Sequence, residues 1–93
     1  MVFELNKDDY PTDETLNNIE YYSGEYRDLF NEIEHLFDRY GRADFDIKNN
    51  QWTLITGGWR GNELIILAIE SNFLMNHSCW ESSHRGGKHV FNV

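Results

Sequence analysis

Tyr22-Ser23-Gly24-Glu25-Tyr26-Arg27-Asp28-Leu29-Phe30-Asn31-Glu32-Ile33-Glu34-His35-Leu36-Phe37-Asp38-Arg39-Tyr40-Gly41 is the stretch on which the fold turns. Tyr22, Tyr26, Leu29, Phe30, Ile33, Leu36, Phe37 and Tyr40 recur at three- and four-residue steps. At about 100° per residue they fall within an arc of about 120°, a single core-facing stripe. The opposite face holds Glu25, Asp28, Glu32, Glu34 and Asp38, with Arg27 and Arg39 as the cations among them. The spacing predicts one long amphipathic helix with an acidic outer face. Gly41 stands where a left-handed residue would end it.

On the N-terminal side, Val2–Leu5 reads as a short strand and Tyr10-Pro11 as a turn. Thr12 fits an N-cap, because Asp13 and Glu14 follow in the first turn, where the helix dipole favours negative charge. Leu16, Ile19 and Tyr22 continue a helical pattern that Ser23-Gly24 interrupts, as a kink or as a fresh start.

On the C-terminal side, Phe45-Asp46-Ile47-Lys48 alternates like a strand, Asn49-Asn50 supplies a tight turn, and Gln51 to Thr56 returns. Gly57-Gly58 breaks that strand and Asn62-Glu63 open a second helix running to about Asn72. Its run Leu64-Ile65-Ile66-Leu67-Ala68-Ile69 is apolar all round, so it is wedged in the core or shares a face with another chain. Ser78–His84 and Lys88–Val93 then form a hairpin about Gly86-Gly87, which would pair His84 with His89, Ser82 with Phe91 and Trp80 with Val93. The expected architecture is α+β in a single domain, 1–93. An antiparallel sheet of about four strands, in two hairpins, packs against one long amphipathic helix and a second, buried helix.

Charge is divided unevenly. Residues 1–50 carry thirteen acidic and five basic side chains, a net of −8, whereas residues 51–93 carry three of each. An acidic half repels phosphate backbones, which argues against direct nucleic-acid binding there and favours a basic protein surface. No apolar run approaches the ~20 residues that cross a bilayer, so no membrane partner is expected. The N-terminal residues lack a signal-peptide pattern, and one Cys cannot form an intrachain disulfide; both point to the cytoplasm.

Chemistry-bearing residues are few. His77, Cys79, His84 and His89 are zinc-ligand types, but H-x-C-x4-H-x4-H matches no established zinc spacing. His84 and His89 are the candidates for a metal or for acid/base work, and an exposed hairpin tip would neither exclude water nor shift their pKa values. The loop Thr56-Gly57-Gly58-Trp59-Arg60-Gly61-Asn62 leads into a helix N-terminus that could hold an anion, yet it lacks the phosphate-loop pattern. A strand-to-helix turn that needs its glycines is the simpler account. No catalytic residue, metal or cofactor is assigned. Tyr10, Tyr21 and Trp59 have no place on the apolar stripes, and such aromatics beside carboxylates commonly anchor protein contacts. The alternative for Trp59 is a lid folded over the glycine loop.

Gly57-Gly58-Trp59-Arg60-Gly61-Asn62-Glu63, Trp80-Glu81-Ser82-Ser83-His84-Arg85-Gly86-Gly87 and Phe91 together resemble a module of small uncharacterised phage and prophage accessory proteins, over about the last forty residues. The resemblance implies a protein of a mobile element that binds and modulates a host factor, as nucleic-acid-mimicking anti-defence proteins do. The expected function is a non-enzymatic, acidic protein-binding module. Glu25, Asp28, Glu32, Glu34 and Asp38 would face a basic host protein such as a nuclease or DNA-binding protein, with Tyr21 and Trp59 as anchors. The rival expectations are a small His- or metal-dependent enzyme using His84 and His89, and a structural homodimer formed through the second helix.

Overall fold

The computed structural model describes residues 2–37, 41–46, 48–73, 75, 80–84 and 87–92, with 80–84 described as backbone. The fold is α+β. Helix α1 spans Asp13–Glu20, α2 Tyr26–Phe37 and α3 Arg60–Glu70; strand β1 spans Arg42–Asp46, β2 Gln51–Ile55, β3 Trp80–His84 and β4 Lys88–Asn92. The strands pair antiparallel in the order β1-β2-β4-β3.

Thr12 caps α1 by accepting the Thr15 N–H at 3.1 Å, while Asp13 and Glu14 occupy the first turn. The N-terminal segment is not a strand. Leu5 makes one isolated bridge to Pro11, and the Thr15 hydroxyl holds the segment by bonding both the N–H and the carbonyl of Glu4. Of the two readings of Ser23-Gly24, the fresh start holds, and the second helix begins later than Tyr22. Gly24 takes a φ of 129°, α2 begins only at Tyr26, and Tyr22 is left between the helices. Within α2, Leu29, Phe30, Ile33, Leu36 and Phe37 are all buried, as their spacing requires. Each contributes roughly 1.5–3 kcal/mol of transfer free energy.

The sheet presents one face to the helices. Trp52 and Leu54 of β2 are buried, Ala43 and Phe45 lie opposite them on β1, and Phe91 and His89 lie opposite on β4. Phe30 of α2 stacks on Trp52 at 5.6 Å and tilts against Phe91 at 5.2 Å, and the Phe45 ring tilts against the indole at 4.7 Å. Buried residues of all three helices join this face in one core cluster.

Two strands depart from expectation. β1 starts at Arg42, and its link to β2 is the four residues 47–50, not the two-residue Asn49-Asn50 turn. Asp46 closes this link: its carboxylate accepts the N–H groups of Lys48 and Asn49 and the Asn49 amide. In the last hairpin His84 pairs with Lys88 and Ser83 with His89, so three residues separate the strands instead of two. Gly87, at φ 74°, closes that loop in the left-handed region that three-residue loops favour. The register differs by one residue from the expected one. The pairs His84–His89, Ser82–Phe91 and Trp80–Val93 therefore do not form, and Trp80 pairs with Asn92.

Gly41 is not in the left-handed region. Its glycine is demanded by close packing: a Cβ there would run into the Ile55 carbonyl oxygen and the Asn62 amide nitrogen. The exit of α2 is thus pressed against the end of β2 and the first turn of α3.

Candidate functional site

The acidic face of α2 is built by helical spacing alone. At about 100° per residue, Glu25, Asp28 and Glu32 fall within a 60° arc, and all three are exposed. Glu34, half-buried, lies at least ~120° round the helix from this trio. The ridge is therefore narrower than the five-carboxylate array, and Asp38 lies outside the described residues. Arg27, on the same helix, is engaged elsewhere. Arg27 donates from Nη2 to Asn50 Oδ1 at 2.9 Å, with its guanidinium 5.3 Å from the Phe45 ring. Among the described residues none of Glu25, Asp28 or Glu32 makes an ion pair; the described pair is Arg42 with Asp44, exposed and adding little to stability.

The field of the ridge reaches Tyr22. Its hydroxyl donates to the Glu25 carbonyl at 3.1 Å, and its pKa is raised, first by burial and then by the negative charges of Asp28 and Glu25. Tyr22 also connects the ridge to an aromatic pair. Tyr21, at the C-terminus of α1, is 76% exposed, and Phe73, just beyond α3, is 72% exposed. The two flank one depression together with Tyr22 and Glu20. Its floor is fixed by Asn72, 1% exposed, whose amide donates to the carbonyls of Ile19 (2.8 Å) and Tyr22 (3.1 Å) and whose oxygen accepts the Met75 N–H (2.9 Å).

From that depression a groove continues between α1 and α3, lined by Leu16, Leu64, Leu67 and Ala68 and bounded by Glu20 and Ser71. Leu67 is 51% exposed. Neither Leu67 nor Phe73 was singled out as a surface residue from sequence. Leu67 shares a helical stripe with the exposed Glu63 and Glu70, at i−4 and i+3, and that placement was the available signal.

Trp59 is half-buried and integral to the fold. It is the N-cap of α3, lies 4.8 Å from the Tyr10 ring, and covers Gly61, where any Cβ would strike the indole. It takes the place of the lid over the glycine loop. The glycine motif itself is a joint organised by Thr56, 2% exposed. The Thr56 carbonyl accepts the Trp59 N–H and the buried Asn62 amide, and its N–H donates to the Gly87 carbonyl. A Cβ on Gly87 would collide with the Thr56 hydroxyl, so the two glycine clusters serve one junction.

The histidines are not brought together as a cross-strand pair. His89 is half-buried beside a depression lined by Arg60, Glu63 and Glu70, and His84 occupies a register position one step away. His77 and Cys79 lie outside the described residues, and among the described residues no cluster of three His, Cys, Asp or Glu could hold a metal. No helix among the described residues is long and apolar enough to cross a membrane.

Comparison with protein-family models, with curated proteins and with solved structures finds no match for this chain.

Proposed function

We propose that this chain is a protein-binding module that docks a basic surface of another protein on the ridge of Glu25, Asp28 and Glu32, with Tyr21 as its exposed aromatic anchor. The observation that carries this is the exposure of three adjacent carboxylates that make no ion pair among the described residues. Adjacent unneutralised charges on one face add their fields and speed encounter with an oppositely charged partner. Trp59 is not part of the anchor set, because its indole is committed to Tyr10 and Gly61.

The more specific form of the proposal is a mobile-element product that inhibits or modulates a basic host protein, such as a nuclease or DNA-binding protein. It is supported by the resemblance of the glycine–tryptophan motif and by the acidity of the ridge. The alternative is a His- or metal-dependent enzyme using His84 and His89, which the hairpin register does not set directly opposite each other.

The test is capture of the partner from the native host with the tagged chain, followed by association kinetics. Asp28→Lys with Glu32→Lys should slow association by about tenfold or more at low salt, and raising salt should slow the wild type towards the variant. Association indifferent to both reversal and salt contradicts the proposal.

A further inference from the structure

We infer that the groove between α1 and α3 receives a basic amphipathic helix of the partner, with its apolar side chains on Leu16, Leu64, Leu67 and Ala68 and its cations towards Glu20. This rests on the docking function above and names the second half of the same surface. Leu16, Leu64, Leu67 and Ala68 give the groove an apolar floor beside Asn17, Glu20 and Ser71, and it ends between the exposed rings of Tyr21 and Phe73. A trough between two helices, with side-chain spaces repeating every three to four residues, is the geometry into which a third helix packs.

Charge selects the occupant. Helix α1 carries Asp13, Glu14 and Glu20 and no cation, and Glu20 lines the groove itself. Beyond Tyr21 and Phe73 the groove meets Tyr22, whose hydroxyl donates to the Glu25 carbonyl at the start of the ridge. A second copy of this chain would bring a net charge of −8 against these carboxylates. An apolar segment without cations would cover the Glu20 carboxylate without offering it a partner. A helix with Leu or Ile along one face and Lys or Arg on its flanks satisfies both the floor and the rim.

The test uses the full chain, isotope-labelled for NMR, and two synthetic peptides of about fourteen residues with Leu at helical i, i+3, i+4 and i+7 spacing. One carries Lys at the remaining positions and the other Glu. The Lys peptide should shift the amides of residues 16–21 and 64–73, and the Glu peptide should leave them in place. Leu67→Gln, at an exposed helical site that Gln tolerates, should weaken the Lys peptide by about tenfold or more, the equivalent of one buried leucine. Circular dichroism of the variant checks that the fold is kept.

Equal binding of the Lys peptide to Leu67→Gln and wild type overturns the inference. So do equal binding of the two peptides, and a wild-type dimer in sedimentation that Leu67→Gln disperses. Shifts confined to α2 also overturn the groove while leaving ridge docking intact. Conversely, groove binding that persists with a partner indifferent to reversal at Asp28 and Glu32 removes the ridge and keeps the groove.

Discussion

Replacing Asn72 with alanine should destabilise the protein by about 2–4 kcal/mol. This residue, 1% exposed, ties the C-terminus of α1 to the segment after α3 through three hydrogen bonds. The losses are unequal. The Ile19 carbonyl keeps the Tyr22 N–H at 3.4 Å, and the Tyr22 carbonyl belongs to a half-buried residue that water can reach. The Met75 amide, in a residue 1% exposed, has no such recourse. An orphaned buried amide costs about 1–3 kcal/mol, and the two weakened carbonyl bonds add roughly 1 more. In a domain of this size the melting temperature should fall by roughly 10–25 °C, with a lower urea midpoint at unchanged m-value. Asn72→Asp sharpens the test. It keeps an acceptor for Met75 but sets a carboxylate against two carbonyls. Burial and those carbonyls would hold its carboxyl above the ordinary range, so the folded state would bind that proton more tightly than the unfolded state. The deficit relative to wild type should then shrink as pH falls through the raised folded value towards about 4. An alanine variant within about 0.5 kcal/mol of wild type, or an aspartate deficit that ignores pH, would refute the bonding scheme.

Gly41→Ala should cost about 1–3 kcal/mol in urea unfolding although Ala is the better helix former, because its Cβ meets backbone that cannot give way; a neutral or stabilising effect contradicts the close packing. Trp52→Phe should stay within about 1–2 kcal/mol of wild type while Trp52→Ala loses about 3–5, since Trp52 Nε1 has no acceptor among the described residues and its removal relieves a buried orphan. A phenylalanine variant as unstable as the alanine one argues against that. The Tyr22 phenol should titrate above 10, by residue-resolved NMR, and Glu25→Gln with Asp28→Asn should lower it. The sign follows: the folded state holds that proton more tightly than the unfolded chain. The associated stability is present below about pH 10 and is lost as pH rises through the folded value. An unmoved Tyr22 in the double variant would show that the ridge charges do not reach it.

Helix patterning was legible because it is a local property. The α2 stripe and the Thr12 cap depend on residues within one or two turns, and both read directly. The α+β character followed from the same periodicities. What the sequence hid depends on where distant backbone meets. Whether Gly41 served a left-handed turn or a close approach was decided by Ile55 and Asn62, far along the chain. Whether the last hairpin looped through two residues or three decided which residues face each other, and a one-residue ambiguity there shifted every pairing. β1 was partly missed although Arg42-Ala43-Asp44-Phe45-Asp46 alternates cleanly, because the first strand residues follow directly on the helical stripe. At the site, Glu25, Asp28 and Glu32 were readable as one arc. That Trp59 packs on Tyr10 and Gly61 was hidden because aromatic type says nothing of what covers a ring, and Phe73 continues the Ile66–Ile69 spacing, which points inward rather than to the surface it occupies.

The central claim is that Glu25, Asp28 and Glu32 form a negative, solvent-facing ridge that no described residue neutralises. Amide-proton relaxation by a cationic and an anionic spin probe of equal size reads the near-surface potential residue by residue. The potential should be most negative at Asp28 and Glu32 and distinctly less so at Thr53 and Val90 on the outer face of the sheet. Equal relaxation by the two probes along α2 would contradict the claim.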